Sequence, residues 1–373
     1  MSSNQPMIID LFAGAGGLSL GAARAGFKLA GAVEIDKHAI ETHKNNFPDT
    51  IHLSLDILSL DGESILDKCN LRAGELDGLI GGPPCQGFSS IGQRCPDDSR
   101  NLLFTKFFYL AQKMHPRFFI AENVLGILDT RFDNIRNQAF SLVQKDFIML
   151  PPIIIAANML GAPTIRKRVF FIGYDPKKIR SGFSITDFDK LIVPDEKRTR
   201  VQRALLGLPL KAGIGKLEVN ISKIAENGSF EHRVSGMIPD GVGLKTAIYD
   251  YYEHQMVSGC ISTQHSPEIA ERYKRLSYGE TDRISRSVKL DPNGFCPTLR
   301  AGTGPEKGSY QAVRPIHYSE PRVITPREAA RLQGFPDWFV FHKTKWHSFR
   351  QIGNSVSPIV AEKLLSVLYQ KIT

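Results

Sequence analysis

The sequence predicts an α/β protein, a doubly wound parallel sheet in the first half of the chain with a second, smaller domain after it. Three observations carry this expectation. Short apolar runs alternate with stretches at helical spacing up to about residue 175, the pattern of βαβ units. Several of those runs end in a carboxylate or a glycine-rich turn, and open parallel sheets place their chemistry at strand carboxyl ends. The 373 residues also exceed the usual single-domain length, which suggests two domains.

Met7-Ile8-Ile9-Asp10-Leu11 is the first strand candidate. It runs into Phe12-Ala13-Gly14-Ala15-Gly16-Gly17 and then a helical stretch from Leu18. Glycines at a strand-to-helix turn let backbone approach a ligand and let the helix amino-terminus face it. The dinucleotide fingerprint is incomplete, because Ser19 stands where its third glycine would be, and a plain tight turn explains the glycines equally well. The second run, Leu29-Ala30-Gly31-Ala32-Val33, ends at Glu34-Ile35-Asp36. A carboxylate about twenty residues after the glycine loop can accept both hydroxyls of a ribose. The third run, residues 51–55, ends at Asp56-Ile57, placed to meet a purine's amino group and ring. Carboxylates at strand ends also serve as plain helix caps.

The fourth run, residues 76–80, leads into Gly81-Gly82-Pro83-Pro84-Cys85-Gln86-Gly87-Phe88. Prolines and glycines stiffen this loop, and a covalent nucleophile needs a fixed distance and angle to its target. A small buried thiol in a tight turn is the alternative. After Asn101-Leu102-Leu103-Phe104 and a helical stretch to about Met114, the strand 117–121 ends in Glu122-Asn123-Val124, on the same predicted sheet edge as Cys85. Strands at 153–157 and 169–173 flank Arg166-Lys167-Arg168.

Residues 176–325 carry 23 Lys and Arg against 17 Asp and Glu, which places +6 of the net charge of +9 there. With a pI near 9.2, that excess points to an anionic partner, nucleic acid being the commonest. Cysteines at 69, 85, 95, 260 and 296 form no pair or cluster with metal-ligand spacing, and no metal site is expected from them. An odd count without a secretory signal suits a reducing cytoplasm. No apolar run approaches the ~18 residues of a membrane span. Thr325-Pro326-Arg327-Glu328 opens a capped helix that stops at Gly334. Gln351-Ile352-Gly353-Asn354-Ser355-Val356 is read as a polar turn before a last helix over about 357–368.

The ordered motifs Asp10–Gly17, Gly82-Pro83-Pro84-Cys85-Gln86, Glu122-Asn123-Val124, Arg166-Lys167-Arg168 and Gln351–Val356 resemble those of the bacterial DNA cytosine-5 methyltransferases. The likeness spans nearly the whole chain outside 176–295. It implies a Rossmann-like methyltransferase fold, with residues 1–175 as catalytic and cofactor-binding domain completed by 345–373. Residues 176–325 would form a target-recognition domain, and 326–350 a hinge with a closing helix. It implies S-adenosylmethionine as cofactor, held by Phe12, Ala13, Gly14, Gly16, Gly17 and Leu18, by Glu34 and Ile35, by Asp56 and Ile57, and by Pro84, Leu103, Asn354, Ser355 and Val356. Cys85, Glu122, Arg166 and Arg168 become the catalytic set. The implied partner is double-stranded DNA, bound by a monomeric cytoplasmic enzyme that is nucleoid-associated when on DNA, with a separately encoded restriction endonuclease. Thr164 departs from the pattern, because the family commonly has glutamine there. A transfer-RNA methyltransferase shares the catalytic set but carries a shorter insert after the arginine motif, and a catalytically silent DNA-binding regulator on this fold would not need Cys85, Glu122 and Arg168.

Overall fold

The structure, a computed structural model, describes residues 5–84, 101–211, 218–222, 224, 228–302 and 314–373. Strands β1 (Met7–Leu11), β2 (Lys28–Val33), β3 (Ile51–Leu53), β4 (Gly78–Gly81), β5 (Phe118–Asn123), β6 (Ile148–Met149), β7 (Ile153–Ala156) and β8 (Lys167–Tyr174) share one sheet. Its order is β3-β2-β1-β4-β5-β8-β6, with β7 also paired to β8. The five strands from β3 to β5 are parallel. Helices α1 (Gly17–Ala25), α2 (Lys37–Asn46), α3 (Gly62–Lys68) and α4 (Asn101–Met114) connect them, and α5 (Asp133–Ser141) follows β5.

Successive strand residues serve opposite cores, as a pleat of period two requires. Ile8, Phe118, Ile120 and Phe170 enter one apolar cluster with Leu20 of α1, while Ile9, Phe119, Ala121 and Phe171 enter another with Phe104 and Phe108 of α4. Both faces of the sheet are therefore covered, the doubly wound arrangement that the alternation predicts.

The alternation ends earlier than expected. β8 runs antiparallel to β5, and β6 and β7 run antiparallel to β8. Only residues 157–166 join β7 to β8, and they hold a single short turn, Ala157–Leu160. A parallel crossover usually needs a dozen or more residues with a helix, so these two strands return as a hairpin.

Beyond the sheet come α6 (Ile185–Asp189), α7 (Val201–Ala204), β9 (Glu218–Asn220), α8 (Ser229–Glu231), α9 (Lys245–His254), β10 (Met256–Ser258) and α10 (Pro267–Arg275). β9 and β10 pair antiparallel. The final helices are α11 (Pro326–Gln333), α12 (Lys345–Asn354) and α13 (Pro358–Ile372). The expected cap on α11 is present, with Thr325 Oγ1 accepting from Glu328 N at 3.2 Å and Glu328 Oε2 accepting from Thr325 N at 2.7 Å. Gly334 ends it in the left-handed region. The expected polar turn at 351–356 is shorter, because α12 continues through Asn354 and leaves only Ser355 and Val356 before the Ser357 N-cap of α13.

All of α11 is buried, an unusual place for two arginines. Arg331 pairs with Asp337 at 2.7 and 2.5 Å and donates to the carbonyls of Ala204 and Leu206, while Arg327 donates to those of Ser258, Pro336 and Phe339. Buried charge persists only when so paired and bonded, and these bonds tie the region after the sheet to the closing helices.

α13 lies against α1 at a contact that admits no side chain. A Cβ on Gly21 would sit 2.3 Å from Ala361 Cβ and 2.5 Å from the Glu362 backbone nitrogen. In an exposed helix, glycine to alanine stabilises by up to about 1 kcal/mol. Here the sign reverses, since overpacking costs about 1–3 kcal/mol. Gly21→Ala should lower the midpoint of urea or thermal unfolding, and an unchanged or raised midpoint would contradict the packing described.

Candidate active site

The register fixes where the predicted residues meet. Leu11 lies beside both Val33 and Gly81, and Gly81 beside Ala121. The next residues along the parallel strands, Phe12, Glu34, Gly82 and Glu122, therefore emerge at one edge. That edge holds the crevice between β1 and β4, where the strand order reverses and ligands of open α/β sheets bind.

The loop after β1 is held in a wound conformation. Phe12 has φ 59° and Gly14 and Gly16 have φ 57° and 100°. A non-glycine residue in the left-handed region is costly, and Phe12 is kept there by its neighbours, with Ala13 N bonded to Val33 O at 3.1 Å and Gly16 N to Ala13 O at 3.0 Å. Gly17 tolerates no Cβ, because Val356 O would lie 2.2 Å from it. Above Gly14, no described atom comes within 4 Å of such a position. Glu34 closes the loop's other side, Oε2 accepting from Gly14 N at 2.9 Å and Oε1 from Asp36 N at 2.8 Å. Burial pushes its carboxyl above the ordinary range, opposed by those backbone bonds. The next residue, Ile35, exposes 64% of its surface, and Leu58, after β3, exposes 45%. Asp56 caps the turn Ile57–Ser59 by accepting from Leu58 N at 3.0 Å, and Ile57 is buried beneath it.

Glu122 ends β5 and Arg168 begins β8. Glu122 pairs across the antiparallel ladder with Phe170, and Arg168, two residues away, projects from the same face. Their side chains meet as an ion pair, Arg168 Nε to Glu122 Oε1 at 2.8 Å. Glu122 is 8% exposed, and its Oε2 lies 3.2 Å from a Cβ position on Gly82. Asn123 Nδ2 donates to Pro83 O at 3.3 Å, which brings the Pro83-Pro84 turn to the end of β5. Cys85 lies outside the described residues. The described cysteines, Cys69, Cys260 and Cys296, are all buried, and burial pushes the thiols of Cys69 and Cys260 up to about 11 and about 12 and that of Cys296 further up. Such thiols are poor nucleophiles.

The sequence profile of the C-5 cytosine-specific DNA methylases matches residues 7–370. The chain belongs to that family. As a C-5 cytosine DNA methyltransferase, it is 35% identical to the Type II methyltransferase M.XorII of Xanthomonas oryzae pv. oryzae, over 96% of this chain and 83% of that one. It is 30% identical to M.DdeI of Desulfomicrobium norvegicum, over 96% and 87%. Among solved structures, a prophage-encoded E. coli protein described as a DNA modification methyltransferase superposes with a TM-score of 0.87 at 50% identity, covering 98% and 99% of the two chains. The S. pombe Dnmt2 methyltransferase, 16% identical, superposes at 0.62 over 98% and 99% and shares the fold.

Several residues of the methyltransferase stand differently from their sequence reading. The side chains of Ala13 and Leu18 are buried, Leu18 in the core with α1. Leu103 packs against the α4 core, and Pro84 is half-buried. Arg166 is buried and donates to Leu299 O at 3.1 Å and Asn354 O at 3.5 Å, bracing the turn that carries Ser355 and Val356. That turn is also held by Gln333 Nε2 donating to Ser355 O at 2.8 Å and by Ser355 Oγ donating to Gln351 O at 2.7 Å. Thr164 is fully buried and bridges to Cys296, with Ile165 N bonded to Cys296 O at 2.9 Å. In this enzyme the family's glutamine position is a seam between the sheet and the second region.

Sequence reading missed a buried polar chain beneath the loop. Ser19 Oγ donates to Asp10 Oδ2 at 2.6 Å and lies 2.9 Å from His43 Nε2, whose Nδ1 is 2.8 Å from His52 Nε2. Ser19 was visible only as a missing glycine; its hydroxyl partners Asp10 in the core. Burial pushes the Asp10 carboxyl from 3.8 to about 7, and burial pushes His43 well below its ordinary 6.5 and His52 down to about 4.

Because Asp10 holds its proton more tightly folded than unfolded, its contribution to stability falls as pH rises from about 4 to about 7 and is level above that. Asp10→Asn removes this dependence while keeping an acceptor for Ser19. The stability of Asp10→Asn relative to wild type should therefore climb between pH 4 and pH 7 and then flatten. Urea melts at several pH values would read it, and a difference independent of pH would refute the burial argument.

Proposed function

We propose that this enzyme transfers a methyl group from S-adenosylmethionine to carbon 5 of a cytosine extruded from double-stranded DNA, as the modification half of a Type II restriction-modification system. The observation that carries the reading is the convergence of Glu34, the Gly14 loop and the Glu122–Arg168 pair on one sheet edge, within a chain of the C-5 cytosine methylase family. The names of its relatives support the restriction-modification setting.

The residues present fit the cofactor. The space above Gly14 is open to a ligand, Glu34 is available to ribose hydroxyls, and the exposed Ile35 and Leu58, with Asp56 and Ile57, suit an adenine. When bound, S-adenosylmethionine supplies an electrophilic methyl group on a sulfonium. Ser355 and Val356, seated on Gly17, close the loop together with the preceding Asn354.

Carbon 5 of cytosine is too weak a nucleophile for methylation until carbon 6 has been attacked. Cys85, as thiolate, forms that bond and pushes electron density onto the ring. Glu122 relieves the developing charge at N3 by hydrogen bonding or proton donation, and Arg168 orients the Glu122 carboxylate and holds the cytosine O2. Once carbon 5 carries the methyl group, removal of its proton expels the cysteine. A duplex hides these atoms, which requires extrusion of the base. Residues 176–325, with their basic excess, read the DNA, and residues 326–350 link that region to the C-terminal segment completing the site.

Two experiments test the assignment. Duplex with 5-fluorocytosine at the target cannot lose fluorine as a cation, so the enzyme should form a denaturation-resistant, S-adenosylmethionine-dependent adduct at Cys85, absent in Cys85→Ser. A cross-link to another cysteine, or normal turnover by Cys85→Ser, would overturn the mechanism. Glu34→Ala should weaken S-adenosylmethionine binding by ~1.5–3 kcal/mol, about one to two decades, while DNA affinity changes little. Calorimetry giving unchanged cofactor affinity would reduce Glu34 to a loop brace.

A further inference from the structure

Beside the Glu34 end of the sheet edge, where Asp36 N donates to Glu34 and Asp36 caps α2, three histidines from distant parts of the chain converge. His38 is in the first turn of α2, His342 precedes α12, and His347 lies in its first turn. A ligand nitrogen from each lies within 4.8 Å of the others. Ring centroids are 3.9 Å apart for His38 and His347, 4.5 Å for His342 and His347, and 4.8 Å for His38 and His342. Among the described residues this is the one group of three or more His, Cys, Asp or Glu side chains so closely gathered.

We propose that His38, His342 and His347 bind a divalent transition-metal ion of the zinc class, which staples α2 to the start of α12. Three imidazoles with a water as fourth ligand are a donor set such ions accept, whereas magnesium and calcium prefer oxygen. Zinc at ~2.0–2.1 Å from each nitrogen would set them about 3.4 Å apart, so side-chain rotation suffices to close the site.

The backbone already holds all three arms. Asp36 Oδ1 accepts from His38 N at 3.0 Å. Gln351 joins the other two segments, its Oε1 accepting from His342 N at 3.1 Å and its Nε2 donating to His38 O at 2.9 Å and Thr42 Oγ1 at 3.0 Å. His342 is itself oriented from one side, its Nδ1 accepting from Thr344 N at 3.1 Å with Thr344 Oγ1 also 3.1 Å away. His38 is exposed and the other two are half-buried, which gives the ion a path from solvent. Ordinary stacking of surface rings would produce the same proximity without affinity for metal, and that is the outcome the experiment must separate.

Tag-free full-length protein, stripped with chelator, is titrated with Co²⁺ and then Zn²⁺. The expected result is one ion per chain, a visible cobalt spectrum of four-coordinate intensity without a thiolate-to-cobalt band, displacement by zinc, and a raised melting temperature with either ion. His38→Ala and His347→Ala should each weaken binding by at least ~10-fold and abolish the thermal shift, while His254→Ala, outside the cluster, should leave both unchanged. Metal-free melting curves of the variants report whether they fold. Retained stoichiometric binding in folded His38→Ala or His347→Ala, a thiolate band, or only the weak spectrum of hydrated cobalt would overturn the proposal.

Discussion

The structure turns on two positions that lack a side chain. Gly17 lies under the carbonyl of Val356, and Gly21 lies under Ala361 and Glu362. Because neither carries a Cβ, α13 and the turn before it settle onto α1 at backbone distance, and the wound loop from Phe12 to Gly16 is clamped between that turn and β2. Burial of Ile359, Val360, Leu364, Leu365 and Leu368 supplies the apolar driving force. The glycines allow that burial to occur at the distance the loop requires.

Around the clamp, charge is placed where the protein's own backbone can answer it. Glu34 takes two backbone N–H groups and Glu122 takes Arg168, so each carboxylate is oriented before any ligand arrives. Such preorganisation lowers the cost of arranging the site during binding and reaction. The Asp10–Ser19–His43–His52 chain works differently. It points inward, and Ser19 links Asp10 to the two histidine rings beneath the loop.

Much of the sheet edge was legible in the sequence because parallel strands end level, so Glu34 and Glu122 could be placed together from strand order alone. Legibility failed where pairing depended on length or on distant residues. The return of β8 as an antiparallel strand followed from the short 157–166 connection, which an apolar pattern does not distinguish from a crossover. Arg166 and Arg168 differ by two positions in one motif, yet one braces Asn354 and the other meets Glu122; Arg168 lies in β8 while Arg166 stands before its first residue. Thr164, a departure from the family's pattern, lies in a buried seam that the sequence does not reveal, because its partner Cys296 is more than a hundred residues away. The three histidines were invisible for the same reason.

The seat of α13 on α1 also has a consequence for how the enzyme is made. Ala361 follows Gly21 by 340 positions, and at translation rates of roughly 5–20 residues per second the helix that needs cover waits about twenty seconds to a minute for it. During that interval the nascent chain carries the wound loop without its clamp and an apolar face without its partner. A ribosome that stalls before residue 355 thus yields a product with the strand-edge carboxylates but without the turn that covers Gly17.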